Sequence, residues 1–310
     1  MGGWRAAVDR SVRKLSGRMR HAILGTGGIG GLIAGALARS GTEVTLLMRP
    51  ESLSRYGGRL TIASAVLGDF EVECPAIAML DRTVDVLWVT TKATQLGDAL
   101  DLAPPDRVGD ATVIPLLNGV EHMALLRSRY PHVVAGAMRV ESERAAPGVI
   151  RQRSPFIRVE LAGAEEVAEE LRAAGIDCSI GADELTLLWS KLAFLAPMAL
   201  ATTALGGPLG AVRDDDRYVR AQDEALAVAR AEGARIDEDA IRALSRTAPD
   251  EMQSSMQKDV AAGRPPELEA IGGAVLRAAA RHSIAAPATE ELVRLVASQA
   301  ARSGKKSSST

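Results

Sequence analysis

The glycine-rich segment near the start of the chain has the spacing of a dinucleotide-binding loop. It fits the pattern G-x-G-x-x-G and reads Gly25-Thr26-Gly27-Gly28-Ile29-Gly30. An apolar, strand-like run precedes it and a helical stretch follows it, which is the context that this motif requires. In such a loop Gly25 permits the tight turn, Gly27 lets the backbone approach a pyrophosphate, and Gly30 allows close helix–strand packing. The alternative is a glycine-rich turn that only joins two packed elements.

The residue at the end of the second strand indicates which dinucleotide binds. Enzymes that use NAD usually carry an acidic residue about 20 residues after the loop, where it binds the ribose 2′-hydroxyl. In this chain that strand ends at Leu47, Met48 and Arg49, so a cation stands where the acid would be. An arginine can donate two hydrogen bonds to a 2′-phosphate at once. We therefore predict NADPH as the cofactor; the alternatives are an ordinary loop arginine and a role for nearby Glu51.

Two further polar positions follow buried strand-like runs. Lys92 comes shortly after the run 84–89, and Asn118 comes directly after the run 113–117. Open α/β sheets bind their ligands at the carboxyl ends of the strands. We therefore predict that Lys92 and Asn118 contact cofactor and substrate. The alternatives are a solvated lysine at the start of a helix and an Asn-Gly turn.

Lys191 is the strongest candidate for proton transfer. It lies within a stretch, 185–198, in which almost every residue is apolar. The residues that share its helix face are Leu187, Leu188, Phe194 and Leu195. A lysine on such a face either extends along its stem to solvent or points into a cleft. In a cleft, desolvation would lower its pKa and make it a usable proton donor to a ketone oxygen.

A second polar cluster in the same half of the chain contains serines and a carboxylate. Ser254 and Ser255 are adjacent, and Glu267 falls in the first turn of the next helical stretch. Serine hydroxyls can bind a substrate carboxylate, and Glu267 could orient a catalytic lysine. An acid after Pro265-Pro266 also stabilises a helix N-terminus whatever its function, so both interpretations of Glu267 stay open.

The elements that must position these residues differ between the two halves of the chain. Up to about residue 181, short buried runs alternate with helical stretches, which predicts a doubly wound parallel sheet. The predicted strands are His21–Leu24, Glu43–Met48, Val84–Thr90, Val113–Leu117 and Val133–Ala137, with a hairpin turn around Leu67-Gly68-Asp69. From residue 183 to 302 only helical periodicity remains. We therefore expect a Rossmann-type domain over 19–182 and an all-α domain over 183–302.

The two ends of the chain are predicted to lie outside these domains. Residues 1–18 are basic and lack the apolar core of a secretory signal, so we interpret them as a disordered extension or as residues before the true start. The polar end, 303–310, is typical of a disordered tail. No apolar stretch reaches the roughly 18 to 20 residues that span a bilayer, so we predict no membrane segment.

Composition excludes several classes of partner. The aromatic share of 3% and net charge of −2 speak against a nucleic-acid-binding surface. Two cysteines without CxxC spacing and four scattered histidines speak against a disulfide scaffold and a protein-bound metal. The expected setting is a reducing cytoplasm, and the expected partner is a small molecule.

The ordered set of motifs resembles the ketopantoate reductase family over roughly residues 20 to 300. The shared segments are the Gly25–Gly30 loop, Arg49, T-K-A-x-Q at Thr91–Gln95, Asn118-Gly119, Trp189–Ala193, S-S-M-x-x-D at Ser254–Asp259, and Glu267. The resemblance implies a Rossmann domain and a helical domain with the substrate between them. It also implies that NADPH reduces a 2-keto acid, ketopantoate in the type members.

The resemblance further implies roles for individual residues. Lys191 would be the general acid and Glu267 its partner. Ser255 would contact the substrate, while Asn118 and Lys92 would lie near the nicotinamide end of the cofactor. By the same resemblance, Arg49 would bind the 2′-phosphate.

The chain departs from the family pattern on the helix that carries Lys191. Family members commonly have asparagines four and eight residues after the lysine, where this chain has Leu195 and Ala199. A site that hydrogen-bonds a substrate hydroxyl discriminates strongly through such groups. A more apolar 2-keto acid is therefore a second candidate substrate. The chain could also be a β-hydroxyacid or carbonyl dehydrogenase, or a sensor that binds NADP without turnover. The sequence leaves open whether the protein is a homodimer.

Overall fold

A computed structural model describes residues 18–181 and 183–307, without the side chains of 304–307. The predicted N-terminal extension therefore lies outside the described residues except for Arg18. This arginine donates a hydrogen bond from Nη1 to the carbonyl of Gly41 at 2.6 Å. The described residues form two compact units, one of 18–117 with 123–181 and the other of 118–122 with 183–307.

The first unit holds all the strands that the described residues form. In chain order these are β1 Arg20–Leu24, β2 Glu43–Leu47, β3 Arg59–Ser64, β4 Phe70–Glu73, β5 Ala76–Ile77, β6 Val86–Val89, β7 Thr112–Pro115, β8 Gly136–Arg139, β9 Ser142–Ala146, β10 Val149–Gln152, β11 Arg158–Leu161 and β12 Asp177–Ile180. The helices up to residue 181 are α1 Gly28–Arg39, α2 Pro50–Leu53, α3 Leu96–Ala99, α4 Pro105–Val108, α5 His122–Arg129 and α6 Glu165–Ala173. Short 3₁₀ turns at Ala93–Gln95 and Leu100–Leu102 flank α3.

A five-stranded parallel sheet in the order β5-β2-β1-β6-β7 forms the centre of this unit. Its central strand is buried on both faces: Ile23 packs in one hydrophobic cluster, while Ala22 and Leu24 pack in another. This explains why the strands are continuous apolar runs. The strand order reverses next to β1, which places a ligand-binding crevice at the carboxyl ends of β1 and β6.

The sequence prediction of one sheet was incomplete, because the unit also contains two smaller sheets. Their orders are β4-β3-β10-β9 and β12-β11-β8. The predicted hairpin is present, since β3 and β4 pair antiparallel around a turn in which Gly68 has a φ of +75°. The strand predicted at 133–137 is only partly present. Val133 makes an isolated parallel bridge to Val113, and β8, which begins at Gly136, pairs antiparallel with β11. The strands β9 to β12 are only four or five residues long, and each contains one or two charged residues, so none forms a continuous apolar run.

Helices joined by short loops form residues 183–307 of the second unit. Its helices are α7 Glu184–Leu205, α8 Leu209–Val212, α9 Asp216–Ala231, α10 Glu238–Thr247, α11 Ser255–Ala261, α12 Ala274–Arg281 and α13 Pro287–Ser307, with a π-helical turn at Glu269–Gly273. The prediction that 303–307 are disordered was wrong, because α13 continues to Ser307. These residues contain no proline, so the backbone hydrogen bonds of the helix can continue. Residues 308–310 lie outside the described part of the chain.

The long helix α7 is the core element of the second unit. Asp183 caps its start by accepting a hydrogen bond from the backbone N–H of Thr186 at 3.0 Å. Gly206 ends it with a φ of +77°, a left-handed conformation that costs glycine little. Among the described helices, α7 alone is long and apolar enough to cross a membrane, but most of it is buried inside the protein. Its apolar sequence is therefore accounted for by helix packing.

Candidate functional site

The glycine loop lies against the end of strand β6 in the first unit. Gly25 has a φ of +103°, and a Cβ atom there would lie 2.6 Å from the backbone nitrogen of Thr91. Only glycine satisfies both conditions. Thr90 holds the loop in place by donating from Oγ1 to the carbonyl of Gly25 at 2.6 Å. The structure thus brings together two segments, the glycine loop and the residues after β6, that were predicted separately.

The start of helix α1 fits the pyrophosphate of a dinucleotide. Gly27 is the N-cap, and a Cβ built on it would meet no atom within 4 Å, so a ligand can approach its backbone closely. The first turn of α1 has no acidic residue, and its backbone N–H groups favour an anion. Beside the loop, the hydroxyl of Thr91 is buried and has no hydrogen-bond partner among the described residues. The donors present therefore match a phosphate-bearing cofactor.

Ser142 is a neighbour of the glycine loop that the sequence analysis missed. Its Oγ donates a hydrogen bond to the carbonyl of Gly28 at 2.9 Å, and its backbone lies where a Cβ on Gly28 would be. Ser142 begins strand β9, which the sequence did not predict. No local pattern signals the contact, because its two residues are 114 positions apart in the chain.

Arg49 and Lys92 lie at the same edge of the parallel sheet. Arg49 is exposed, two residues beyond the end of β2, and β2 pairs with β1 so that Leu47 is opposite Leu24. Lys92 is half-buried just before the 3₁₀ turn at Ala93–Gln95. Both cations therefore stand near strand ends that border the glycine loop, as the sequence analysis expected of a cofactor site.

Lys191 lies in the middle of α7 in the second unit. The side chain is half-buried, and its neighbours Trp189 and Leu192 are fully buried. Its positive charge is close enough to His122 to lower the pKa of that imidazole. The lysine is therefore neither a solvated surface residue nor a fully buried one.

Glu267 and Asn118 are in direct contact within the second unit. Asn118 donates from Nδ2 to Oε2 of Glu267 at 3.2 Å. Glu267 is only 8% exposed, so this carboxylate is buried and its hydrogen bonds matter. The sequence analysis predicted that Asn118 follows a strand of the sheet and contacts cofactor and substrate. The structure adds that Asn118 lies beside the acid that was predicted to assist Lys191.

The segment 118–122 is held in the second unit by two further contacts. Gly119 has a φ of +87°, and a Cβ there would collide with the carbonyl oxygen of Ala270. Glu121 accepts two hydrogen bonds from the Arg277 guanidinium, at 3.0 and 2.8 Å, and this arginine lowers the pKa of the carboxyl. The predicted Asn-Gly turn is thus also the place where the backbone packs against the turn that follows Glu267.

His122 ends this segment and was not among the predicted site residues. The residue is 7% exposed, and neither ring nitrogen has a hydrogen-bond partner among the described residues. Burial first, and then the charge of Lys191, lower the pKa of His122 to about 4. The imidazole is therefore neutral at physiological pH.

The two adjacent serines of the second cluster have different environments. Ser254 is buried and caps α11, accepting from the backbone N–H of Gln257 at 3.0 Å and sharing a hydrogen bond with Thr202 at the same distance. Ser255 is exposed on the first turn of α11. Ser254 thus has a structural role, and substrate binding by Ser255 stays a prediction. The described residues contain no group of three or more histidine, cysteine, aspartate or glutamate side chains arranged to hold a metal.

The candidate residues therefore form two sets. The first unit brings the glycine loop together with Thr90, Thr91 and Ser142, at the sheet edge that also bears Arg49 and Lys92. The second unit brings Asn118 together with Glu267, and Lys191 together with His122. The first set can bind a phosphate-bearing dinucleotide, and the second contains an ammonium group beside His122 and a buried carboxylate held by Asn118.

Comparison with protein families gives a match to each part of the chain. The model for "Ketopantoate reductase PanE/ApbA" matches residues 21–162. The model for "Ketopantoate reductase PanE/ApbA C terminal" matches residues 184–300. Together the two models account for most of the chain.

Individual proteins give the same result. A 2-dehydropantoate 2-reductase of Mycobacterium tuberculosis is 37% identical over 229 residues, covering 69% of this chain and 76% of that protein. A 2-dehydropantoate 2-reductase of Caulobacter vibrioides is 31% identical over 291 residues, covering 89% and 97%. Among solved structures, a PanE/ApbA family ketopantoate reductase of Ralstonia eutropha superposes with a TM-score of 0.81 at 28% identity, covering 92% and 99%. These matches confirm the predicted fold class, a doubly wound Rossmann-type sheet followed by a helical domain.

Proposed function

Because the chain belongs to the ketopantoate reductase family, we propose that it reduces the keto group of a 2-keto acid to a hydroxyl, with ketopantoate as the default substrate. Membership of this family confirms the predicted class of enzyme, an NADP-dependent oxidoreductase acting on CH–OH groups. The particular substrate and the roles of individual residues are part of the proposal.

The first unit supplies the cofactor-binding groups. The Gly25–Gly30 loop and the N-terminus of α1 hold the pyrophosphate, and Arg49 binds the 2′-phosphate that distinguishes NADPH from NADH. The open approach to Gly27 and the unpartnered hydroxyl of Thr91 support this assignment. Lys92 contributes a second cation near the same strand ends. When bound, NADPH supplies the hydride that reduces the carbonyl carbon.

The observation that carries the proposal is the half-buried ammonium of Lys191 on the apolar helix α7. We assign it the role of general acid, which donates a proton from Nζ to the carbonyl oxygen as negative charge develops there. This proton transfer leaves Lys191 as a neutral amine and the substrate oxygen as a neutral hydroxyl.

Glu267 assists Lys191 as a positioning residue in this proposal. Its buried carboxylate balances the positive charge in the second unit, and Asn118 holds one of its oxygens through the 3.2 Å hydrogen bond. A carboxylate whose orientation is set by such a donor can in turn set the orientation of an ammonium group. Ser255, exposed at the start of α11, is available to bind the carboxylate of the substrate.

The helix face after Lys191 bears on the choice of substrate. Leu195 is half-buried against the hydrophobic core of the second unit, and Ala199 lies within that core. Neither residue can hydrogen-bond a hydroxyl group on the substrate. This supports testing apolar 2-keto acids beside ketopantoate.

We also propose that the enzyme acts in the cytoplasm on a freely diffusing small molecule. Both cysteines, Cys74 and Cys178, are free and buried, which suits a reducing compartment. Whether the enzyme is a homodimer stays a prediction.

The experiment that tests the function is NADPH oxidation against a panel of 2-keto acids that includes ketopantoate. Lys191→Ala should lower kcat on the best substrate by about 10²- to 10⁴-fold and leave NADPH affinity nearly unchanged. Glu267→Gln should cause a similar loss, and the double variant should be little worse than either single variant, since the two residues act together. Arg246→Ala, which removes an exposed cation of the same unit, is the control. Normal kcat in Lys191→Ala, or no turnover of any 2-keto acid, would contradict the proposal.

A further inference from the structure

His122 has no structural reason to be a histidine. Its ring is almost completely buried, yet neither Nδ1 nor Nε2 has a hydrogen-bond partner among the described residues. Burying an imidazole without partners costs free energy that an apolar side chain of similar size would not cost. A buried polar group without a partner is therefore a candidate for a functional role.

The position of His122 connects it to the proposed catalytic residues. It ends the segment 118–122, whose first residue, Asn118, holds Glu267. Gly119 and Glu121 fix the segment by packing against Ala270 and by binding Arg277. The ring therefore sits on a rigid support, within the electrostatic reach of the Lys191 ammonium.

Three features keep this imidazole neutral. Burial opposes protonation, the charge of Lys191 opposes it further, and the two together lower the pKa of His122 to about 4. His122 is also the first residue of α5, where the positive end of the helix dipole disfavours a cation. A neutral imidazole has one nitrogen with a lone pair that can accept a hydrogen bond.

A neutral acceptor suits an ammonium that must release its proton. An ammonium group has three N–H donors and no acceptor, so it needs acceptors to fix its orientation. A second carboxylate would orient it but would also strengthen its hold on the proton. An imidazole nitrogen orients the ammonium without adding negative charge.

We propose that His122 is a positioning residue for Lys191: in the cofactor-bound enzyme, the lone-pair ring nitrogen of His122 accepts a hydrogen bond from the Lys191 ammonium. One N–H of Lys191 then points to His122 while another faces the carbonyl oxygen of the substrate. This inference rests on the proposed role of Lys191 as general acid.

Three variants of His122 separate a positioning role from a structural one. His122→Phe removes the acceptor but keeps a flat ring, and should lower kcat by about 10- to 100-fold, the range for loss of a hydrogen bond to a charged group. Its thermal stability should stay the same or rise, and NADPH affinity should not change. His122→Asn and His122→Gln place an amide near Nδ1 and Nε2 respectively, and one of them should recover most of kcat. His132→Phe, at an exposed histidine of the first unit, is the matched control.

A measurement without turnover keeps this inference distinct from the proposed function. In NADP⁺-saturated protein at neutral pH, the ¹⁵N resonances of His122 should be those of a neutral ring, and the lone-pair nitrogen should shift in Lys191→Met. Full kcat in His122→Phe would overturn the inference while leaving the proposed function intact. His122 ¹⁵N resonances that are the same in Lys191→Met as in the unmodified protein would do so as well. A loss of kcat that follows a loss of thermal stability, with no recovery in either amide variant, would also overturn it. Failure of the whole substrate panel would refute the proposed function, and the ¹⁵N result would still decide whether His122 and Lys191 interact.

Discussion

Asn118 and Glu267 are 149 residues apart in the chain, and their side chains meet through a hydrogen bond of 3.2 Å. The bond joins the segment that follows the last strand of the parallel sheet to the turn that precedes the π-helical residues 269–273. It gives a buried carboxylate a fixed orientation within the second unit. The effect of changing Asn118 therefore reports on the function of Glu267.

We expect Asn118→Asp to be more harmful than Asn118→Ala. Alanine only removes a donor, whereas aspartate places a second carboxylate against Glu267, and the two negative charges repel each other. Activity of Asn118→Asp should recover partly as the pH falls, because one of the two carboxyls then binds a proton. Steady-state kcat between pH 5 and 8 would test this, and equal activity of the two variants at all pH values would contradict it.

Arg49→Ala should weaken NADPH binding by about 10- to 100-fold, because it removes a charged hydrogen-bond donor from the 2′-phosphate. NADH affinity should be nearly unchanged, since NADH lacks that phosphate. Arg55→Ala, at an exposed arginine six residues further along the chain, is the control. Dissociation constants from fluorescence titration would test the assignment. Equal affinity of the unmodified protein for both cofactors would show that Arg49 has no such role.

Leu195→Asn should raise kcat/KM for ketopantoate relative to apolar 2-keto acids, because it adds a hydrogen-bonding group one turn after Lys191. Ala199→Asn is a poorer test, because Ala199 is in the hydrophobic core and an amide there should cost about 1 to 3 kcal/mol of stability. Efficient reduction of ketopantoate by the unmodified enzyme would mean that other residues bind its hydroxyl group.

Asp183 should make the second unit sensitive to acid. The backbone N–H of Thr186, followed by the Arg235 guanidinium and the Thr186 hydroxyl, lowers the pKa of Asp183 from 3.8 to about 2. Because the pKa is lower in the folded state, the stabilisation is complete above about pH 4 and is lost as the pH falls towards 2.

Asp183→Ala should therefore lower the melting temperature at pH 7, and its difference from the unmodified protein should shrink between about pH 4 and pH 2. Asp214→Ala, at an exposed turn of the same unit, should have little effect at either pH. Calorimetry would measure both, and a difference for Asp183→Ala that does not depend on pH would contradict the assignment.

The sequence alone determined the features that depend on neighbouring residues. The Gly25–Gly30 loop, the strand that precedes it and the helix that follows it are adjacent in the chain, so their types and spacing were sufficient to predict a dinucleotide site. Arg49 indicated NADPH because strand length sets its distance from that loop. The all-α domain after residue 183 was predicted for the same reason, since helical periodicity is a local property of the sequence.

Only the tertiary structure decided which distant residues meet. Ser142 reaches the glycine loop, and Asn118 reaches Glu267, through contacts that span more than a hundred residues. His122 looked unremarkable in the sequence, because whether a polar side chain finds a partner depends on everything packed around it. Local sequence patterns indicate which face of a segment is apolar and buried. Hydrogen bonds between distant segments depend on how the whole chain folds.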